Sequence, residues 1–167
     1  MVERKEYLDQ LWAWKDEQQI KVVTGIRRCG KSVLLEQYQQ RLLANGVAPE
    51  QIISINFENL DYEPLKDYMR LYNYLKERLC VDKMTYIFLD EVQEVPSFEK
   101  VVGLGLIGRA VGFFLAADKG ADLLNAFGVT GGQHLRHLDD PVALQLGKHL
   151  VIIQLFQVIR EPLILYS

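Results

Sequence analysis

"KVVTGIRRCGKSVLLEQY", Lys21 to Tyr38, decides how the rest of this 167-residue chain is read. Ile20 to Thr24 is a short run rich in β-branched residues that ends at Gly25, as a buried strand would. After it, Val33, Leu34, Leu35, Tyr38, Leu42 and Leu43 recur at helical spacing until Asn45-Gly46 stops them. Between strand and helix lies "GIRRCGKS", Gly25 to Ser32, with the G-x-x-x-x-G-K-[ST] spacing of a phosphate-binding loop. Its glycines let the backbone curl so that successive N–H groups face phosphates, and the helix adds the partial positive charge of its N-terminus. The candidate nucleotide-binding residues are therefore Gly25, Ile26, Arg27, Arg28, Cys29, Gly30, Lys31, Ser32 and Val33. Within that set Lys31 reaches the β- and γ-phosphates and Ser32 offers its hydroxyl to Mg²⁺. The competing reading is a Gly-rich strand-to-helix turn without a ligand.

The flanking sequence repeats the same rhythm. Tyr7, Leu8, Leu11, Trp12 and Trp14 predict a helix over about residues 3–17. "QIISINF", Gln51 to Phe57, predicts a second strand, and "LKDYMRLYNYLKERL" a helix with Pro64 in its first turn. "MTYIFLDE" predicts a third strand. Alternating strands and helices give an α/β fold, a parallel sheet of the P-loop NTPase type flanked by helices.

The third strand carries the second chemical element. In "YIFLDE", Tyr86 to Glu91, a buried strand delivers Asp90 at its end, where a carboxylate serves Mg²⁺. Glu91 follows directly and is the candidate general base for the attacking water. Alone, the pair reads more readily as a solvated acidic turn, because acidic strand ends are common turn chemistry. Two strands after a phosphate loop, it reads as the magnesium and water half of one site, with Lys31 and Glu91 the candidate catalytic residues and Ser32 and Asp90 the metal ligands. A glutamate placed to activate water favours hydrolysis over transfer to a metabolite. No N-K-x-D guanine signature occurs, which disfavours GTP.

"KVVTGIRRCGKSVLLEQY", "INFENLDYEPL", "YNYLKERL" and "YIFLDEVQEVPSFEKVV" together resemble the prokaryotic AAA-type ATPase family whose members end in a separate C-terminal domain. The resemblance runs from about Glu6 to Val102. It implies ATP and Mg²⁺ as ligands, Gly25 to Ser32 as the ATP-phosphate loop, Asp90 as the magnesium aspartate and Glu91 as the catalytic glutamate. It further implies hydrolysis coupled to conformational work on a client, protein or nucleic acid, that the sequence does not name. Sites of this type sit between subunits, so the chain itself is an implied partner. Gln93 and Glu94 belong to the resembling segment without a derivable role.

Composition changes near residue 102. Residues 103–167 hold nine of the 12 glycines but only ten charged residues. We therefore divide the chain into a core over 1–102 and a divergent tail over 103–167 that either completes the sheet or is a truncated, fused or frame-shifted continuation. Reading the encoding DNA in all frames past codon 102 tests the last case, which fails if no frame restores a sensor strand and an arginine finger. The nearest sensor candidate is Thr130 in "AFGVTGG", and Arg109, Arg136 and Arg160 have no context marking a finger. Gly103, Gly105 and Gly108 spell G-x-G-x-x-G. "FEKVV" before them offers at best a short strand, and Asp118 and Asp122 come too early for a dinucleotide fold. His134 and His137, near Asp139 and Asp140, read as a polar helix face rather than a metal site. "HLVIIQLFQVI" reads as a late core strand.

The totals exclude several classes. A net charge of −3 argues against bulk electrostatic binding of nucleic acid. Two cysteines, Cys29 and Cys80, are too few for a disulfide framework and suit a reducing compartment. The most apolar run, "GLGLIGRAVGFFLAA", is too short to span a bilayer, which needs about 20 apolar residues. A cytoplasmic chain without membrane contact is the expectation.

Overall fold

The computed structural model describes residues 4–16, 20–25, 27–105, 111–118, 142–146 and 149–157. In chain order the elements are α1 (Lys5–Ala13), β1 (Ile20–Thr24), α2 (Lys31–Ala44), β2 (Ile52–Asn56), α3 (Tyr68–Arg78), β3 (Thr85–Asp90), β4 (Val111–Ala117), β5 (Val142–Leu146) and β6 (His149–Gln157). The strands form one sheet in the order β2-β3-β4-β1-β6-β5. All neighbours are parallel except β5 and β6, which pair antiparallel. This is an α/β sheet flanked by helices, as the alternation predicts.

β1, β3 and β4 are buried residue after residue, the mark of strands covered on both faces. Alternate side chains feed two cores. Val22, Ile55, Ile87, Leu89 and Leu115 meet Leu71 and Leu75 of α3. Val23, Phe88, Phe114 and Ala116 meet Leu8 and Leu11 of α1 and Leu34, Tyr38 and Leu42 of α2. At the second core's centre the Phe114 ring stacks on Phe88 at 4.7 Å and lies 4.8 Å from Tyr38. Phe114→Leu is expected to cost about 1 kcal/mol, from lost ring stacking and imperfect volume match. A urea midpoint lowered with an unchanged slope shows this; an unmoved midpoint would remove β4 from the core.

Lys21 is a residue whose burial the strand pattern does not announce. It is fully buried in β1, with its ammonium 5.2 Å from the centre of the Phe114 ring.

Three sequence expectations need correction. The third helix begins at Tyr68, not in the turn around Pro64. Leu60–Lys66 form a 3-10 turn, and Asp67, in extended conformation, then caps α3 by accepting the Arg70 N–H at 2.9 Å. That side-chain bond satisfies an N–H the helix leaves open, and it sets the start. Asp67→Ala is expected to cost about 1 kcal/mol, read as a lower thermal midpoint. The first helix is shorter than 3–17, stopping at Ala13. "FEKVV" is not a strand: Phe98 and Glu99 are helical, and Lys100–Gly105 continue as a π-helical turn. Gly103 and Gly105 therefore close a helical stretch ahead of a strand, the reverse of the order a dinucleotide fingerprint requires.

Candidate functional site

In a parallel sheet the carboxyl ends of the strands share one edge, and ligands collect there. Register aligns those ends closely. Asn56 lies opposite Asp90, Asp90 opposite Ala116, and Thr24 opposite Ala117. The loop after β1, the turn after β3 and the residue after β4 consequently face the same crevice.

The loop itself requires unusual backbone. Gly30 has φ +93°, and a Cβ there would come within 2.8 Å of the Arg4 guanidinium. The backbone conformation is what favours glycine, since the guanidinium is the end of a flexible side chain that could shift. Arg28 also adopts the left-handed region, at φ 64°. α2 then starts at Lys31, with the Leu34 N–H donating to the Gly30 carbonyl at 3.0 Å. Arg4, just ahead of α1, braces the loop from outside. Its guanidinium donates to the Cys29 carbonyl at 2.5 Å, while its own N–H donates to Gln37 of α2.

Lys31 is 4% exposed, so its ammonium needs partners inside the protein. It donates to the Gly25 carbonyl at 3.0 Å and to the Asp118 carboxylate at 2.7 Å. Next to it, Ser32 lies near enough to Asp90 to favour that group's charged form. Asp90 also accepts from the Glu91 N–H at 3.1 Å and from the Asn56 amide at 3.4 Å. Burial pushes the Asp90 carboxyl above its ordinary range, while nearby Ser32, the Glu91 N–H and the nearby Lys31 pull only partly the other way. A buried carboxylate with a hydroxyl nearby suits the oxygen ligands that Mg²⁺ prefers. Ser32 and Asp90 would hold that ion.

Glu91 sits at φ 54°, ψ 42°, a left-handed conformation that costs a non-glycine residue about 1–2 kcal/mol. The turn thereby points it away from the strand's own direction, into the crevice. Burial raises its carboxyl above the ordinary value, and the neighbouring Asp118 and Asp90 charges push the same way. The Gln93 side-chain amide donates to it and opposes that rise. Gln93, without a role in sequence terms, thus holds Glu91.

Arg27, Arg28, Gly30, Lys31, Ser32, Val33, Glu58 and Glu91 line a cavity of about 420 Å³. Of the residues singled out in the loop, Cys29 turns away, its side chain fully buried in the core under α1 and α2. Ile26 lies outside the described residues. Arg27 pairs with Glu58 at 3.2 Å, both side chains well exposed, an interaction worth little to stability. Arg109, Thr130, His134, Arg136, His137 and Arg160 lie outside the described residues.

Four contributors escaped the sequence reading: Arg4, Asn56, Glu58 and Asp118. The strand lying between β1 and β3 is β4, and the residue following it is Asp118. Counting from the apolar run "VGFFLAA" to its first polar residue would have found it.

Among the described residues, no helix is long and apolar enough to cross a membrane. An uncharacterized protein of Haemophilus influenzae is 40% identical to this chain over 103 residues, which is 61% of this chain and 26% of that protein. The chain thus spans about a quarter of the length of the curated relative it matches. A family model described as an AAA domain matches residues 17–111, reaching past Val102 to the first residue of β4. With more than half of its length matched, and a phosphate-type loop leading from β1 into α2, the chain belongs to the AAA domain family.

Proposed function

We propose that this chain binds Mg-ATP and, in its complete assembly, hydrolyses ATP to drive work on a client. The observation that carries the proposal is the convergence of Lys31, Ser32, Asp90 and Glu91 at the carboxyl ends of β1 and β3. In this reading the loop N–H groups and the start of α2 hold the phosphates, and Lys31 neutralises charge on the β- and γ-groups. Mg²⁺, when bound, supplies charge neutralisation at the phosphate oxygens. Glu91 takes the proton of the attacking water as its oxygen bonds to the γ-phosphorus. The bond from that phosphorus to the β–γ bridging oxygen breaks, giving ADP and phosphate. A raised carboxyl affinity for protons makes Glu91 a stronger base than an exposed glutamate.

The proposal extends to organisation. The nucleotide core begins in residues 1–102, and the tail over 103–167 completes its sheet through β4, β5 and β6, in a cytoplasmic protein that self-associates. The test is binding of a fluorescent ATP analogue, followed by phosphate release with and without Mg²⁺. Saturable Mg²⁺-dependent binding with phosphate release is expected; failure to bind overturns the proposal.

A second reading has one observation in its favour. Asp118 holds the ammonium that the phosphates would need. On that reading the chain binds nucleotide with little turnover, and the same assay gives binding without phosphate release.

A further inference from the structure

β4 runs between the loop strand and the Asp90 strand, so whatever follows it stands at the phosphate end of the crevice. Asp118 follows it, one residue beyond the Ala117–Thr24 pair that ends the ladder. Its carboxylate reaches the Lys31 ammonium at 2.7 Å; the lysine is 4% exposed and the aspartate 30%. An anion already sits, then, where the terminal phosphate of a bound triphosphate would meet Lys31.

We propose that Asp118 is a specificity-determining residue that stands in for the γ-phosphate and makes this site prefer nucleoside diphosphate to triphosphate. The inference rests on the nucleotide-binding reading of the site and deepens it. A diphosphate leaves the Lys31–Asp118 pair in place, because it brings no group to the γ position. A triphosphate must displace the carboxylate from Lys31 and then hold a phosphate beside it, with Glu91 and Asp90 adding like charge. In the empty protein the same pair gives the buried ammonium its counter-charge, which its burial demands.

The test compares Mg-ADP and Mg-ATP binding to the whole chain and to Asp118→Asn by titration calorimetry. In the unsubstituted chain ADP is expected to bind at least about tenfold tighter than ATP, a difference of about 1.4 kcal/mol. Asp118→Asn is expected to bring the two affinities within about threefold, mainly by tightening ATP. Its nucleotide-free thermal midpoint is expected to fall, because Lys31 loses a charged partner. Asp118→Glu keeps the charge and is expected to retain the ADP preference, which covers the case in which the asparagine variant does not fold. An ATP-to-ADP ratio unchanged by Asp118→Asn, or an unsubstituted chain that prefers ATP, overturns this role for Asp118 while leaving nucleotide binding intact. Absence of binding by either nucleotide to either protein overturns the nucleotide reading itself, and this inference with it.

Discussion

Lys31→Ala is expected to weaken ATP binding by at least about 100-fold, close to 3 kcal/mol. The magnitude follows from what the ammonium does. It is the formal positive charge at the start of α2, and its 4% exposure keeps water from screening it. Alanine leaves the loop N–H groups and the helix terminus, which bind phosphates as dipoles but carry no full charge. The substitution also frees Asp118, whose carboxylate then faces the phosphates without its counter-ion. Binding is therefore lost twice over, by removing an attraction and by exposing a repulsion. Asp118 is 30% exposed, so it can turn toward water, and the fold should survive. Far-ultraviolet circular dichroism alongside the titration separates lost binding from lost structure. Unchanged affinity in a folded Lys31→Ala protein would remove the phosphate-loop reading altogether.

Glu91→Gln is expected to leave ATP affinity within about threefold while lowering phosphate release by at least about 100-fold. Glutamine has the same shape, and its carbonyl oxygen can still accept the hydrogen bond from Gln93. The left-handed turn at this position depends on the chain around it rather than on the carboxylate charge. What disappears is the ability to take a proton from water. Single-turnover phosphate release, measured beside equilibrium binding, distinguishes the two losses. Equal turnover in the variant and the parent would assign the base to another group, and loss of binding would make Glu91 a ligand rather than a base.

The two halves of this site were legible to different degrees. Gly25 to Ser32 could be read as strand, loop and helix because each signal is local. β-branched residues mark β1, the glycines mark the turn, and i, i+3, i+4 apolar spacing marks α2. Tyr86 to Asp90 was legible as a buried strand for the same reason. The start of α3 was misread because Pro64 and Asp67 both suit a first turn, and only the Asp67 side chain captures an N–H of the helix that forms. Lys21 was invisible because no pattern of spacing shows that the strand's neighbours close over a lysine and present it to Phe114.

Asp118 is the sharpest case. It stands 87 residues from Lys31, and nothing near either residue records the other. Their 2.7 Å contact exists because β4 inserts between β1 and β3 and ends one residue short of the aspartate. Backbone conformation and side-chain periodicity depend on near neighbours, so the loop, its helix and the carboxylate strand could be found from the chain alone. Strand order is set by which apolar faces bury one another across the whole molecule. For that reason the identity of the charge facing Lys31 emerges only when the sheet is assembled.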